Sequence, residues 1–143
     1  MLRKDIRNGR TRQVMKQLGH AYSVSGKVVK GKQLGRTIGF PTINVRYGRQ
    51  LLPGNGVYSA LVYHNGALYP AMANIGSNPT VSDGRRRYLE VHIFDFNENL
   101  YGQPVTVSFI DFIRREKKFA NVSELAEQLK KDSVTARETL SKI

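Results

Sequence analysis

Thr42 and Asn44 stand two positions apart at the end of a segment, residues 26–44, that is rich in glycine and in basic side chains. Pro41 favours an extended backbone before it, and on an extended chain side chains two positions apart point to the same face. A hydroxyl and an amide oxygen on one face are hard oxygen donors, which suit Mg²⁺. Glycine-rich turns present backbone N–H groups to phosphate oxygens. The segment therefore predicts a nucleotide site that holds magnesium.

Glu90 is an acidic residue in the middle of an apolar strand pattern. Phosphoryl transfer to a hydroxyl needs a group that accepts the hydroxyl proton, and a carboxylate can do this. Burying a lone carboxylate is costly. The pattern therefore leaves two alternatives open, since Glu90 either has a catalytic task or lies with His92 on the solvent face of an edge strand.

Short strands must position these residues. Six segments alternate apolar with polar residues or are rich in β-branched and aromatic ones: Tyr22–Val29, Thr42–Val45, Val57–Tyr63, Ala67–Ile75, Tyr88–Phe96 and Pro104–Phe112. Asn65-Gly66 supplies the residues of a type I′ hairpin turn, and turn-forming residues between positions 78 and 84 predict a long loop. The fold class is therefore mostly β, a small antiparallel barrel or sandwich.

Helical patterns flank the strands. Residues 2–18 have a partial helical stripe that ends at Gly19. Near the other end, Asn121 and Glu124 have the spacing of a capping box. Apolar residues then recur at nearly helical spacing, at Leu125, Leu129, Ala136 and Leu140. We expect a C-terminal helix that lies on the barrel.

Composition indicates one domain and an anionic ligand. The chain has 143 residues, no cysteine and a net charge of +12. Residues 1–49 contain twelve Lys/Arg and one acid, so nearly all of the excess lies around and ahead of the glycine-rich segment, which favours a polyanionic partner. No apolar run approaches the roughly 20 residues that span a bilayer, and a secretory signal is not evident. We expect no membrane partner and a cytoplasmic location.

Several motifs resemble the riboflavin kinase (flavokinase) family. Pro41-Thr42-Ile43-Asn44 resembles the family's Pro-Thr-Ala-Asn tetrad, with isoleucine in place of alanine. Glu90-Val91-His92-Ile93 resembles its Glu-x-His-Ile strand, Tyr101-Gly102 its Tyr-Gly turn, and residues 113–119, IRREKKF, its Arg-x-Glu-x-x-Phe element. The resemblance implies a six-stranded antiparallel Greek-key β-barrel. It also implies phosphorylation of riboflavin by Mg·ATP to give FMN and ADP.

The resemblance also implies roles for single residues. Glu90 would be the general base, and Thr42 and Asn44 would bind ATP and its Mg²⁺. The residues implied at the nucleotide are Gly31, Arg36, Ile93, Asp95 and Tyr101, and those implied at the flavin are Arg114 and Phe119.

The N-terminal segment resembles a connector. Residues 7–22, RNGRTRQVMKQLGHAY, are similar to the segment before the kinase module of bifunctional bacterial FAD synthetases. We therefore expect a helical connector at residues 1–20 and the kinase domain at residues 21–143. In those synthetases an adenylyltransferase domain comes first, and this sequence has no room for it. An excised module and a stand-alone kinase both remain open.

A second function class fits the charge. A basic barrel whose first third tracks a phosphate backbone would bind nucleic acid, with aromatic residues such as Phe40 and Tyr47 as stacking surfaces. A regulatory module that senses flavin is a related alternative. A surface that binds a nucleic-acid strand does not require Thr42, Asn44 and Glu90 together, so we expect nucleic acid to be the less favoured partner.

Overall fold

A computed structural model describes Gly19 and residues 21–30, 39–80 and 84–143, and the six strands in these ranges close into an antiparallel barrel. The strands are β1 Tyr22–Val29, β2 Ile43–Arg46, β3 Gly56–His64, β4 Ala67–Thr80, β5 Gly84–Ile93 and β6 Pro104–Arg114. They are hydrogen-bonded in the order β1-β2-β5-β4-β3-β6. Strands β3 to β5 form a meander, and β6 returns beside β3, which is a Greek key. The predicted barrel is confirmed.

The barrel interior is filled by alternate residues of the strands. On β5, Leu89, Val91 and Ile93 are buried inside, while Tyr88, Glu90 and His92 are partly exposed on the outer face. Alternation of this kind follows from the two-residue period of a strand. Small residues, among them Ala60, Ala71 and Ala73, also lie in this core. Because the sheet closes on itself, β5 lies between β2 and β4 and is not an edge strand.

The helix α1, Val122–Ser141, packs against β3, β4 and β6. Ala136 and Leu140 lie with Leu61, Met72 and Phe94 in a second apolar cluster outside the barrel. The Asn121 side chain accepts a hydrogen bond from the Glu124 backbone N–H at 2.9 Å, and the Glu124 carboxylate accepts one from the Ala120 N–H. The predicted C-terminal helix and its N-cap are confirmed.

The long loop predicted between positions 78 and 84 is wrong. Strands β4 and β5 remain paired as far as Thr80 and Gly84, so residues 81–83 join them. The pairing of β4 with β3 ends at Ile75, and beyond that point β4 is an edge. Proline is tolerated on a sheet edge, so Pro79 does not end the strand. Strand β5 also begins earlier than predicted, at Gly84. It ends earlier, at Ile93, because Asp95 adopts a positive φ of 54°.

The N-terminal connector proposed for residues 1–20 lies outside the described residues, apart from Gly19. The boundary between connector and domain therefore stays a prediction.

Gly26 is required where β1 passes close to β2. A Cβ atom at this position would collide with the backbone carbonyl of Arg46. We expect Gly26→Ala to lower the free energy of unfolding by about 1–3 kcal/mol, because a backbone obstacle forces the strands apart. Urea unfolding followed by circular dichroism would measure the loss. Gly54→Ala is the control, since its Cβ would meet only the Tyr58 hydroxyl, at 3.9 Å. Equal stability of the two variants would contradict the expectation.

Candidate active site

Thr42, Asn44 and Glu90 lie together on the outer face of the barrel. Strand β2 pairs with β5 so that Asn44 is opposite Glu90. Thr42 immediately precedes β2, and its Oγ1 donates a hydrogen bond to Glu90 Oε2 at 3.0 Å. The predicted shared face of Thr42 and Asn44 therefore lies beside Glu90. Of the alternative that placed Glu90 and His92 on the solvent face of an edge strand, the edge position is wrong, because β5 is paired with β2 and β4 at Glu90. Both side chains are partly exposed on the outer face, and a catalytic task for Glu90 stays a prediction.

Glu90 opens into a cavity of about 430 Å³, which we call the Glu90 cavity. One wall is the outer face of β4 and β5, and the opposite wall comes from the loop after β6 and from α1. The apolar lining includes Phe40, Met72, Phe119, Leu125 and Leu129. A slot with an aromatic and aliphatic lining and a few polar groups is suited to a flat organic ligand.

A second cavity of about 660 Å³, the Tyr101 cavity, lies on the other side of Thr42 and Asn44. It is bounded by the end of β1, by β2 and by the segment between β5 and β6, residues 96–101. Ile93 lines it, and the Lys30 ammonium group lies 5.7 Å from the centre of the Tyr101 ring. Thr42 and Asn44 line both cavities. The two cavities therefore meet at the predicted metal ligands.

Arg114 is fixed at the wall of the Glu90 cavity by Asp132 of α1. The guanidinium donates to both carboxylate oxygens, from Nε at 2.9 and 3.0 Å and from Nη2 at 2.8 Å. The Asp132 side chain is 2% exposed and also accepts a hydrogen bond from Gln128. The Arg114 guanidinium lies 5.8 Å from the centre of the Phe119 ring. The two residues predicted at the flavin are thus neighbours in one cavity.

Tyr88 and Asn74 border Glu90 within the cavity. Asn74 is directly opposite Glu90 on β4, and Tyr88 is opposite Gly76. A Cβ atom at position 76 would collide with the Tyr88 ring, so glycine lets this ring lie across β4. Burial, followed by the charges of Glu90 and Glu116, raises the pKa of the Tyr88 phenol above its ordinary value. Tyr88 therefore stays protonated at neutral pH and can donate a hydrogen bond into the cavity.

The remaining predicted residues are not all at the site. Asp95 lines neither cavity, and its exposed carboxylate is paired with Arg137 of α1 at 3.2 Å. Gly31 and Arg36 lie outside the described residues. The aromatic residues proposed as stacking surfaces have other contacts, since the Tyr47 hydroxyl donates to the Arg87 carbonyl and Phe40 packs edge-on against His92.

Sequence reasoning missed several residues of this site. Asn74, Tyr88 and Asp132 received no role, because their place depends on strand register and on how α1 docks. One signal was available for Asp132, an acid at position 132 between the apolar residues Leu129 and Ala136, on the side of the helix that was expected to be buried. A buried acid of this kind requires a cationic partner.

The flavokinase family model, described as riboflavin kinase, matches residues 18–140. The chain belongs to the riboflavin kinase family. This match covers all six strands and nearly all of α1. The resemblance that the sequence motifs indicated is therefore confirmed at the level of the family.

Individual relatives agree with the family assignment. A bifunctional riboflavin kinase/FMN adenylyltransferase of Escherichia coli is 48% identical over 122 residues, which is 85% of this chain and 39% of that protein. The crystal structure of a riboflavin kinase from Trypanosoma brucei matches with a TM-score of 0.60 and 25% identity, covering 84% of this chain and 80% of that chain. The chain thus spans about two-fifths of the length of the bifunctional relatives.

A further solved structure, described as a macrolide-efflux protein from Streptococcus pneumoniae, is 40% identical with a TM-score of 0.78 and covers 94% of this chain and 44% of that chain. Over the residues described for the present chain, there is no helix with the length and apolar character to cross a membrane.

Proposed function

We propose that this domain is a riboflavin kinase, which transfers the γ-phosphoryl group of ATP to the terminal ribityl hydroxyl of riboflavin and gives FMN and ADP. The observation that carries the proposal is the meeting of two cavities at Thr42 and Asn44, with the Glu90 carboxylate 3.0 Å from the Thr42 hydroxyl. Phosphoryl transfer requires two substrates that approach each other in line at one point. Family membership supports the same reaction.

The linings of the cavities favour one substrate for each. The Glu90 cavity offers Phe119 and Phe40 to the flat isoalloxazine ring and Arg114 as a donor to its oxygens, as aromatic packing and guanidinium hydrogen bonding allow. The Tyr101 cavity offers Ile93 and Tyr101 to the adenine nucleotide. The ribityl chain of the flavin would then point towards Glu90, and the γ-phosphate towards Thr42 and Asn44.

Thr42 and Asn44 have the donor chemistry for Mg²⁺. The Thr42 hydroxyl donates its hydrogen bond to Glu90, which leaves the oxygen lone pairs available to a cation. Among the described residues, no three His, Cys, Asp or Glu side chains are grouped to hold a metal. Magnesium commonly takes few protein ligands and completes its shell with substrate phosphates and water. When bound, it would neutralise the charge on the transferred phosphoryl group.

Glu90 is the group that accepts the proton of the ribityl hydroxyl. Its position between Asn44 and Asn74 in adjacent strands holds it in the lining of the Glu90 cavity. The hydrogen bond from Thr42 occupies one carboxylate oxygen, Oε2, so Oε1 is the oxygen that would face the substrate. Tyr88, protonated, can donate to a hydroxyl of the ribityl chain and hold it in line.

Other expectations remain predictions. Gly31 and Arg36 would contact the ATP phosphates. Asp95 would have to leave Arg137 before it could reach the nucleotide. An adenylyltransferase domain in the same polypeptide, as the names of the bacterial relatives suggest, and a cytoplasmic location are also predictions.

Incubation of the purified chain with riboflavin, ATP and Mg²⁺, followed by chromatography, tests the proposed function. We expect FMN and ADP to appear in equal amounts and to depend on Mg²⁺, with a parallel incubation in EDTA as the control. Absence of FMN at saturating substrates would overturn the proposal. A binding constant for single-stranded RNA that falls steeply with salt, as phosphate contacts require, would then favour the nucleic-acid alternative.

Removal of either proposed metal ligand should lower the catalytic efficiency and weaken the binding of the magnesium–nucleotide complex. We expect Thr42→Ala and Asn44→Ala each to lower kcat/KM by at least about tenfold, since even partners that only orient a metal ligand are worth 10–100-fold. Calorimetry should show weaker binding of Mg·ADP, while binding of metal-free ADP changes little. Thr135→Ala, on the exposed side of α1, is the control. Unchanged kinetics in both variants would reject the metal assignment.

A further inference from the structure

His92 forms a hydrogen bond to the backbone of the motif that carries Thr42. Its Nδ1 lies 2.7 Å from the Pro41 carbonyl oxygen. A carbonyl oxygen can only accept, so Nδ1 carries the proton and donates it. Since Pro41 directly precedes Thr42, this bond holds the peptide whose next side chain reaches Glu90.

The His92 ring is itself held by aromatic neighbours. Phe40 packs edge-on against it at a centroid distance of 5.3 Å, and Phe94 does the same at 5.5 Å. The Arg137 guanidinium covers Phe94 at 4.3 Å from the ring centre and pairs with Asp95. This row of rings runs from the segment before β2 to α1, and it leaves the imidazole little freedom to rotate.

Thr42 depends on such an anchor because it lies just outside the sheet. The pairing of β2 begins at Ile43, opposite Val91, so the ladder does not fix the Pro41-Thr42 peptide. In the described part of the chain, the bond from His92 to Pro41 and the bond from Thr42 to Glu90 are the side-chain hydrogen bonds of this peptide. The partners in these two bonds are Glu90 and His92, which share the outer face of β5.

We propose that His92 is a positioning residue, which holds the Pro41-Thr42 peptide so that the Thr42 hydroxyl is aligned between Glu90 and the triphosphate. The inference rests on the proposed kinase activity. His92 lines the Glu90 cavity, and the role proposed for it is exerted through Thr42. A misplacement of about 1 Å in such a constellation can cost a hundredfold in rate.

Two substitutions separate the hydrogen bond from the ring packing. His92→Asn keeps an N–H donor near the position of Nδ1 and removes the ring, whereas His92→Phe keeps the ring between Phe40 and Phe94 and removes the donor. We expect kcat to fall about 10- to 100-fold in His92→Phe, with little change in melting temperature or in the KM for riboflavin. His92→Asn should retain more of the wild-type kcat despite a lower melting temperature.

The opposite order, with His92→Phe within twofold of the wild-type kcat, would show that the ring only packs and would overturn the inference. A second measurement needs no variant. Nitrogen-15 NMR of the unaltered protein should show His92 protonated at Nδ1, and an unprotonated Nδ1 would also overturn the inference. If the wild-type protein makes no FMN, the proposed function fails, and the NMR measurement still decides separately whether the bond to Pro41 exists.

Discussion

Glu90→Gln should lower kcat for riboflavin phosphorylation by about 10²–10⁴-fold, the usual contribution of a positioned general base. Glutamine has the same shape, and its amide oxygen can still accept the hydrogen bond from Thr42 that Glu90 Oε2 accepts at 3.0 Å. It cannot take a proton from the ribityl hydroxyl. The substitution should therefore slow only the chemical step, and single-turnover measurements of FMN formation would give the rate of that step.

Binding should survive in this variant. We expect the dissociation constants of Mg·ADP and riboflavin, from calorimetry and flavin fluorescence, to stay close to those of the wild type. Glu127→Gln, which removes an exposed carboxylate on α1, is the matched control. If Glu90→Gln kept a rate within threefold of the wild type, Glu90 would have no part in proton transfer.

Asp132→Asn should destabilise the domain by about 3–5 kcal/mol, the cost of breaking a buried ion pair from one side. Asp132 is 2% exposed and Arg114 is 19% exposed, so the guanidinium would lose its carboxylate partner in a largely buried position. Urea unfolding would measure the loss. Asp111→Asn, at an exposed position of β6, is the control. A midpoint unchanged from the wild type would contradict the expected effect.

The same ion pair allows stability and function to be separated. In a double variant, Arg114→Met with Asp132→Leu, both charges are gone, and apolar replacement of a buried pair is often neutral. We expect the double variant to recover most of the stability that Asp132→Asn loses. Its riboflavin affinity should remain weak, because the donor at the wall of the Glu90 cavity is missing. Recovery of full riboflavin affinity would show that Arg114 does not contribute to flavin binding.

Much of the barrel follows from local pattern. The alternation Tyr22–Val29 gives β1 with the same ends as predicted, because one face of that strand is buried and the other is not. The hairpin at Asn65-Gly66 forms as expected, since both residues adopt the positive φ that a type I′ turn requires, 49° and 84°. These features depend on residues close together in sequence, where single-sequence reasoning is strongest.

The features that the sequence did not reveal depend on register and docking. Tyr88 enters the Glu90 cavity because it lies opposite Gly76, twelve positions earlier in the chain. Asp132 holds Arg114 because α1 packs with its Asp132 side chain against Arg114, eighteen positions earlier in the chain. Pro79, an apparent strand breaker, stays in β4 because the pairing of β4 with β3 ends at Ile75, so that Pro79 lies on an edge and pairs only with β5. In each case the position of the residue is decided by a partner that is distant in sequence. The spacing of residues along the chain does not identify that partner.

A crystal structure of the domain with Mg²⁺, ADP and riboflavin would test the central claim most directly. We expect ADP in the Tyr101 cavity, the flavin ring beside Phe119 in the Glu90 cavity and the metal on Thr42 and Asn44 between them. The terminal ribityl hydroxyl should lie within hydrogen-bond distance of Glu90. A metal bound away from Thr42 and Asn44, or both substrates in the same cavity, would contradict the account.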